Sequence, residues 1–178
     1  MSGFGIMGNI HATMVDIETG ERKVWTAQNT ITSGGLSFLR DFLAASVRTM
    51  GTEMLISGAP LPPTYIALGS GINGGAWQAS RFMTVVPGEH FRGSIATRDA
   101  SGQSVIFHAH YSSADGNGPA GTGMTIGAYG IYAGNASNAP AYPGSGTLFA
   151  VAREPVPFGK RTSNTIDIDW TITVSGKL

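Results

Sequence analysis

The sequence predicts a mainly β protein, a β-sandwich of jelly-roll type with one amphipathic helix in its N-terminal third. Three observations support this class. Residues 165–174 alternate polar and apolar side chains without a break, which gives a strand one wet and one dry face. Several shorter β segments precede it, and the 26 glycines and 9 prolines cluster between them as turn residues. Only one segment has helical spacing.

The first two strands are predicted at residues 10–17 and 22–26. The tight turn between them contains Gly20, which can take a positive φ, so the pair is expected to form a hairpin.

The helix follows this hairpin. Ser33 is the expected N-cap, because a serine side chain can accept a hydrogen bond from the first turn. Leu36, Leu39, Leu43 and Val47 recur at helical spacing and form an apolar stripe. The stripe predicts a helix that covers a sheet face or a barrel mouth, and the alternative is a helix that binds a partner.

The remaining elements are read from alternation and from turn residues. Residues 81–86 are expected to be either a strand or a docking segment, and residues 154–159 a linker between the last two strands. Two glycine-rich segments, 113–123 and 134–146, are expected to be long loops. The other predicted strands are 65–68, 91–98, 103–111, 125–133, 148–153 and 163–174.

The composition limits the function classes. The chain has 11 basic and 11 acidic residues, so its net charge is zero, which argues against a nucleic-acid partner and against an anionic membrane surface. Charged residues make up only 12% of the chain, and such a surface is poorly protected against association. We therefore expect a protein that packs against copies of itself or against another protein.

The length of 178 residues suits one domain. We expect a single β-sandwich domain at residues 9–178, preceded by an N-terminal arm at residues 1–8. The arm carries Phe4, Ile6 and Met7 between glycines, a composition suited to a segment that orders on a neighbouring molecule. The sequence contains no cysteine and shows neither a signal peptide nor a membrane-spanning run.

The sharpest candidate for chemistry is GQSVIFHAH at residues 102–110. Its glycine, five residues and His-x-His resemble the opening of the first cupin motif, which implies that His108 and His110 share a strand face and bind one metal inside a barrel. Where that family has a glutamate, this sequence offers only Asp115, and no histidine follows His110. The alternative places Phe107, Ala109 and Tyr111 inside and both histidines outside, facing solvent or a subunit neighbour.

The other motifs predict structure, and no catalytic or cofactor-binding residue is assigned. Residues 69–75 are glycine-rich but lack the Lys-Ser/Thr of a P-loop, and Asp115 and Asn117 match only part of a calcium loop. Glu89 and Arg92 are expected to form a salt bridge or a loop clamp.

Several segments in fixed order resemble a broad group of tailed-bacteriophage virion proteins. They are NTITSGG (29–35), YIALGSG (65–71), EHFR (89–92), GAYGIY (127–132), LFAVAR (148–153) and the Trp-containing run 166–174. The resemblance implies a structural virion protein without catalytic residues. We expect a capsid decoration, or cement, protein on the outer surface of the head. It would be a homo-oligomer, with a trimer as the first guess, bound to the major capsid protein. A tail-fibre, baseplate or tail-tip protein is the alternative.

Overall fold

The fold is taken from a computed structural model, which describes residues 4–48, 62–71, 79–117, 123–133 and 146–176. These residues form eight strands and one helix. In chain order they are β1 (Phe4–Asp16), β2 (Arg22–Ile31), α1 (Ser33–Arg48), β3 (Tyr65–Gly69), β4 (Glu89–Ser101), β5 (Ser104–Tyr111), β6 (Met124–Ala133), β7 (Thr147–Lys160) and β8 (Asn164–Gly176).

The strands close into one antiparallel barrel in the order β1-β2-β7-β6-β3-β4-β5-β8. The mainly β class with one helix is confirmed, but the predicted two-sheet jelly-roll sandwich is replaced by a single closed barrel. Alternation of apolar residues determines which face of each strand is buried. It does not determine whether the outer strands meet, and here β1 pairs with both β2 and β8.

The pairing is nested. β1 pairs with β8, β2 with β7, β3 with β6 and β4 with β5, so the second half of the chain retraces the first. The longest of these ladders runs from Phe4 opposite Gly176 to Asp16 opposite Asn164. Contacts between residues far apart in sequence therefore hold the barrel together.

The predicted N-terminal arm is not a separate segment. Residues 4–8 belong to β1 and lie opposite residues 172–176 of β8. Ile6 packs against the core, and the Asn29 side chain occupies the space that a Cβ on Gly8 would need. The reason is that the wet and dry alternation of β8 extends along its whole length and provides a pairing partner for these residues. Residues 1–3 lie outside the described ranges.

The interior is filled by alternate residues of the strands, in one large cluster that includes Ile10, Leu68, Ile131, Phe149 and Trp170. Trp170 is fully buried, which confirms that the last strand carries its indole into the core. Among the described residues, none accepts a hydrogen bond from its Nε1–H.

A second cluster lies outside the barrel wall, on β3, β6 and β7. Residues 79–88, which we call the strap, cross this surface and cover it, with Val86 packed against Tyr132 and Val151. The strap has turns and no strand, so of the two expectations for residues 81–86 the docking segment is correct. The strap explains why β6 is buried on both faces.

The N-cap of the helix lies one residue before the predicted position. Thr32, not Ser33, is the N-cap: its Oγ1 accepts a hydrogen bond from the Gly35 N–H at 3.0 Å. Thr32 also donates to backbone carbonyl groups of β7, which ties the helix start to the barrel. The side chains of Leu43 and Val47 lie outside the described residues.

The helix contacts the barrel at one mouth. Phe38 packs edge-on against Phe149 with 5.6 Å between ring centroids, and Leu39 contacts the core cluster. This contact supports the predicted role as a cover, although Leu36 of the stripe is exposed.

One loop prediction also changes. Residues 154–159 are part of β7 rather than a linker. The described part of the 113–123 loop contains a turn, and the 134–146 loop lies almost wholly outside the described ranges.

We predict that Trp170→Ala lowers the free energy of unfolding by about 3–5 kcal/mol, because it empties the largest buried side-chain site. Trp170→Phe should cost less, because it keeps most of the ring volume and removes the unpartnered N–H. Urea titration measures both values. Val156→Ala is the control: Val156 is 72% exposed, so a change within about 0.5 kcal/mol is expected. Equal losses for all three variants would contradict the core assignment.

Candidate functional site

The two candidate metal ligands lie on the outside of the barrel. Phe107, Ala109 and Tyr111 of β5 point inward and are buried, and His108 and His110 therefore point outward. The cupin-like arrangement required both imidazoles inside the barrel, so the structure corrects it. The alternative that strand parity allowed is the observed one.

Each of these histidines is hydrogen-bonded with aspartate. His108 Nδ1 lies 2.7 Å from Asp169 Oδ1, and its Nε2 lies 3.0 Å from Asp99 Oδ2. His110 Nδ1 lies 2.7 Å from Asp167 Oδ1. Both nitrogens of His108 are therefore engaged, and a metal could bind there only by displacing a carboxylate. Within the described residues, no group of three or more His, Cys, Asp or Glu side chains is arranged to hold a metal ion.

The environment of His108 favours its charged form. The hydrogen bond with Asp169, followed by that with Asp99, raises the pKa of His108, while partial burial acts in the opposite direction. As an imidazolium, His108 donates to β8 on one side and to β4 on the other. The arrangement connects three neighbouring strands on their outer face.

These histidines belong to a broader surface. His11 of β1 lies opposite Asp169, which in turn lies opposite His108, and Asp167 lies opposite His110 in the next row. We define the His–Asp face as four rows of outward residues that run across the strands in the order β2, β1, β8, β5 and β4. On β1 the rows pass through Met7, Asn9, His11 and Thr13. The alternation of residues 165–174 predicts a wet strand face for Asp167 and Asp169, with an inter-subunit contact as an alternative. It does not predict that His11 and Asp99 join them. Only the register across strands brings them together.

A second polar cluster is buried under the strap. Glu89 accepts hydrogen bonds from Arg92, and the Tyr132 hydroxyl donates to Glu89 Oε2 at 2.7 Å. The Arg92 guanidinium lies 3.8 Å from the centre of the Tyr132 ring. The Tyr132 oxygen also accepts from the Val86 N–H at 3.1 Å. The salt bridge expected from the sequence is present within β4, and together with Tyr132 it forms a clamp that holds the strap at Val86.

Burial controls the chemistry of this clamp. The side chains of Glu89 and Arg92 are almost completely shielded from solvent, so their opposite charges neutralise each other in a dry environment. Burial, and then the hydrogen bond with Glu89, raises the pKa of Tyr132. Tyr132 thus stays protonated and acts as a donor. The sequence analysis did not identify this tyrosine. The one signal for it is that the apolar run of β6 is too continuous for a strand that buries only one face.

Two further buried tyrosines form hydrogen bonds inside the barrel. The Tyr129 hydroxyl donates to Glu154 Oε2 at 3.0 Å, and the Tyr111 hydroxyl donates to the Ile66 carbonyl at 2.7 Å. Burial raises the pKa of Glu154 and the pKa of Tyr129. These contacts satisfy buried polar atoms and leave the groups without an open approach path.

The two weak loop motifs also have structural roles. Asn117 accepts a hydrogen bond from the buried Lys160 ammonium at 2.8 Å, and Asp115 accepts from Ser112, which closes a turn. Burial lowers the pKa of Lys160. Of residues 69–75, only the first three are described. The Ser70 N–H donates to the Gly88 carbonyl at the end of the strap.

An apolar cleft of about 270 Å³ lies at the mouth beside α1. Its lining includes Phe38, Pro62, Phe107 and Ile172, with Gln103 as its polar member.

Comparison with models of protein families, with curated proteins and with solved structures found no match. In the described part of the chain, no helix is long and apolar enough to cross a membrane.

We predict that His108 makes stability dependent on pH. Its folded-state pKa is raised, so its contribution is fully present below the unfolded pKa of about 6.5 and is lost as the pH rises through the folded pKa. The contribution of such a partly exposed pair should be below about 1 kcal/mol. Urea titrations of the wild type and His108→Gln from pH 5 to 9 should therefore differ most at the acidic end. Gln28→Ala, at an exposed position of β2 without a titratable group, is the control and should leave the pH dependence unchanged. A constant difference between wild type and His108→Gln would refute the linkage.

We predict that Arg92→Met destabilises the protein by about 3–5 kcal/mol, because it leaves the Glu89 carboxylate buried without its cation. The double variant Arg92→Met/Glu89→Gln should recover part of this loss, since it removes the unpaired charge. Chemical denaturation measures both. Arg40→Met breaks an exposed pair with Asp41 and should cost less than about 1 kcal/mol. A loss for Arg92→Met as small as that for Arg40→Met would show that the clamp does not hold the strap.

Proposed function

We propose that this chain is a non-enzymatic structural protein of a tailed-bacteriophage virion. In this proposal it is a capsid decoration protein that binds the outer surface of the assembled head, with the major capsid protein as its partner and with copies of itself as neighbours. A place in the tail, as a fibre, baseplate or tail-tip component, is the second form of the same proposal.

One observation carries the proposal. Three of the six segments on which the resemblance rests come together in one part of the molecule: residues 65–69 form β3, residues 127–132 lie in β6, and residues 148–153 lie in β7. The run 166–174 lies in β8, which is not a neighbour of these strands. These three strands are neighbours, and the clamp of Glu89 and Arg92 holds the strap over them. These three segments therefore help to build a scaffold. This supports a common structural role more than a common reaction.

The chemistry of the other polar groups agrees with this role. His108 and His110 are paired with aspartates on the outer wall, and Tyr129 is paired with Glu154 inside it. Such contacts stiffen a barrel. A stiff module loses little conformational entropy on binding, which favours attachment to a lattice.

The mechanism would be mechanical. A protein that binds only the assembled shell stabilises that shell by mass action, by an amount that grows with its free concentration relative to Kd. The zero net charge and the small charged fraction of the chain suit protein surfaces as partners, and the proposal includes neither nucleic acid nor membrane. It includes no cofactor.

The test is the copy number of this chain per particle, measured by quantitative mass spectrometry of purified virions of the phage that encodes it. We expect a number comparable to that of the major capsid protein. A number comparable to those of tail-tip or fibre proteins would move the protein to the tail. Absence from particles that contain their other structural proteins would overturn the proposal.

A further inference from the structure

The His–Asp face differs from an ordinary solvated surface. Its four rows of outward residues contain no Lys, Arg or Glu, and most of their side chains are short, such as threonine, serine, asparagine and aspartate. Lysine and glutamate side chains lose much rotamer freedom when they are covered, and both are depleted from interfaces. A face without them costs little to bury.

The charges of this face are balanced within it. His11, His108 and His110 provide three imidazoles, and Asp99, Asp167 and Asp169 provide three carboxylates. His108 and His110 are already hydrogen-bonded with these aspartates in the same chain. Pairing within the face keeps the side chains in fixed orientations and lowers the cost of removing them from water, compared with isolated charges.

The same balance identifies the partner. A face with both imidazole donors and carboxylate acceptors is complementary to itself, because a twofold-related copy presents the same groups in reverse. Asp169 lies between His11 on one side and His108 on the other, so donors flank an acceptor in the central row. Within the described residues, none hydrogen-bonds with the His11 side chain. It is open to an acceptor on another molecule.

We propose that the His–Asp face is the contact between copies of this chain. The inference deepens the proposed function, on whose self-association it rests, by naming the surface and the second copy as its partner. The competing surface is the strap, where Phe82 is 71% exposed and Val85 is exposed as well. Nothing on the strap indicates which molecule would cover it, whereas the composition of the His–Asp face points to its own copy.

The test is the oligomeric state of the purified full chain, measured by sedimentation velocity over a range of concentrations. We expect the wild type to form a dimer or a larger oligomer. The double variant His11→Lys/Thr26→Lys places two long cations in the central row of the face, and it should weaken self-association by at least about tenfold. Circular dichroism verifies that the variant is folded. Gln28→Lys, at an exposed position in the neighbouring row, is the substitute if the double variant fails to fold.

The matched control is Phe82→Lys/Val85→Lys, which adds the same charge on the strap and should leave self-association unchanged. A monomeric wild type at all concentrations, or a His–Asp face variant that associates like the wild type, would overturn the inference. Loss of association only in the strap variant would transfer the contact to the strap. This experiment does not use virus particles, so the two proposals can fail separately. A monomer with a high copy number in virions would contradict this inference and leave the proposed function standing. An oligomer that is absent from virions would contradict the proposed function and leave the contact between copies standing.

Discussion

Closure of the sheet is the constraint on which the rest of the structure depends. The ladder between β1 and β8 joins the two ends of the described chain, and it gives every strand two hydrogen-bonded neighbours. An open sheet of these strands would expose backbone donors and acceptors at its edges. Closure also creates the interior, because the dry faces of all eight strands then point at the same core around Trp170.

Closure separates two kinds of polar group. Groups that point inward, or that lie under the strap, depend on partners in the protein. Tyr129 with Glu154 and Arg92 with Glu89 form such pairs, whereas the Trp170 N–H has no acceptor among the described residues. Groups that point outward on β5 and β8 keep contact with water and form the paired His–Asp rows. The first kind fixes the shape of the molecule. The second kind is available for contact with other molecules, and the proposed self-association uses it.

The strap shows how a surface can be structural without being part of the barrel. Its residues cover an apolar outer patch of β3, β6 and β7. Its end is held by backbone hydrogen bonds from Ser70 and Gly71 and by the Tyr132 hydroxyl, which is itself hydrogen-bonded to Glu89 of the buried ion pair. Segments on which the resemblance to phage virion proteins rests supply the barrel side of this contact, and residues 89–92 supply the ion pair. Their joint placement is the reason that the proposed function assigns them to a scaffold.

Much of the local structure follows from the sequence. The alternation of residues 166–174 predicts a core strand with a buried Trp170, and the spacing of Glu89 and Arg92 predicts their ion pair. The helix and most strand positions also follow from periodicity, because a period of two or of 3.6 residues is a property of the chain itself. The N-cap was misplaced by one residue, since Thr32 and Ser33 have the same capping chemistry and only the backbone geometry distinguishes them.

Tertiary structure alone decided how these elements meet. A strand pattern does not specify its neighbours, so the sequence could not distinguish a sandwich from a closed barrel, nor reveal that residues 4–8 pair with β8. The same holds for the candidate sites. Parity alone allowed His108 to point inward toward a metal or outward toward solvent, and the direction was decided by which face of β5 closed over the core. The grouping of His11, Asp169 and His108 depends on register across three strands, which is a long-range property that no local spacing contains.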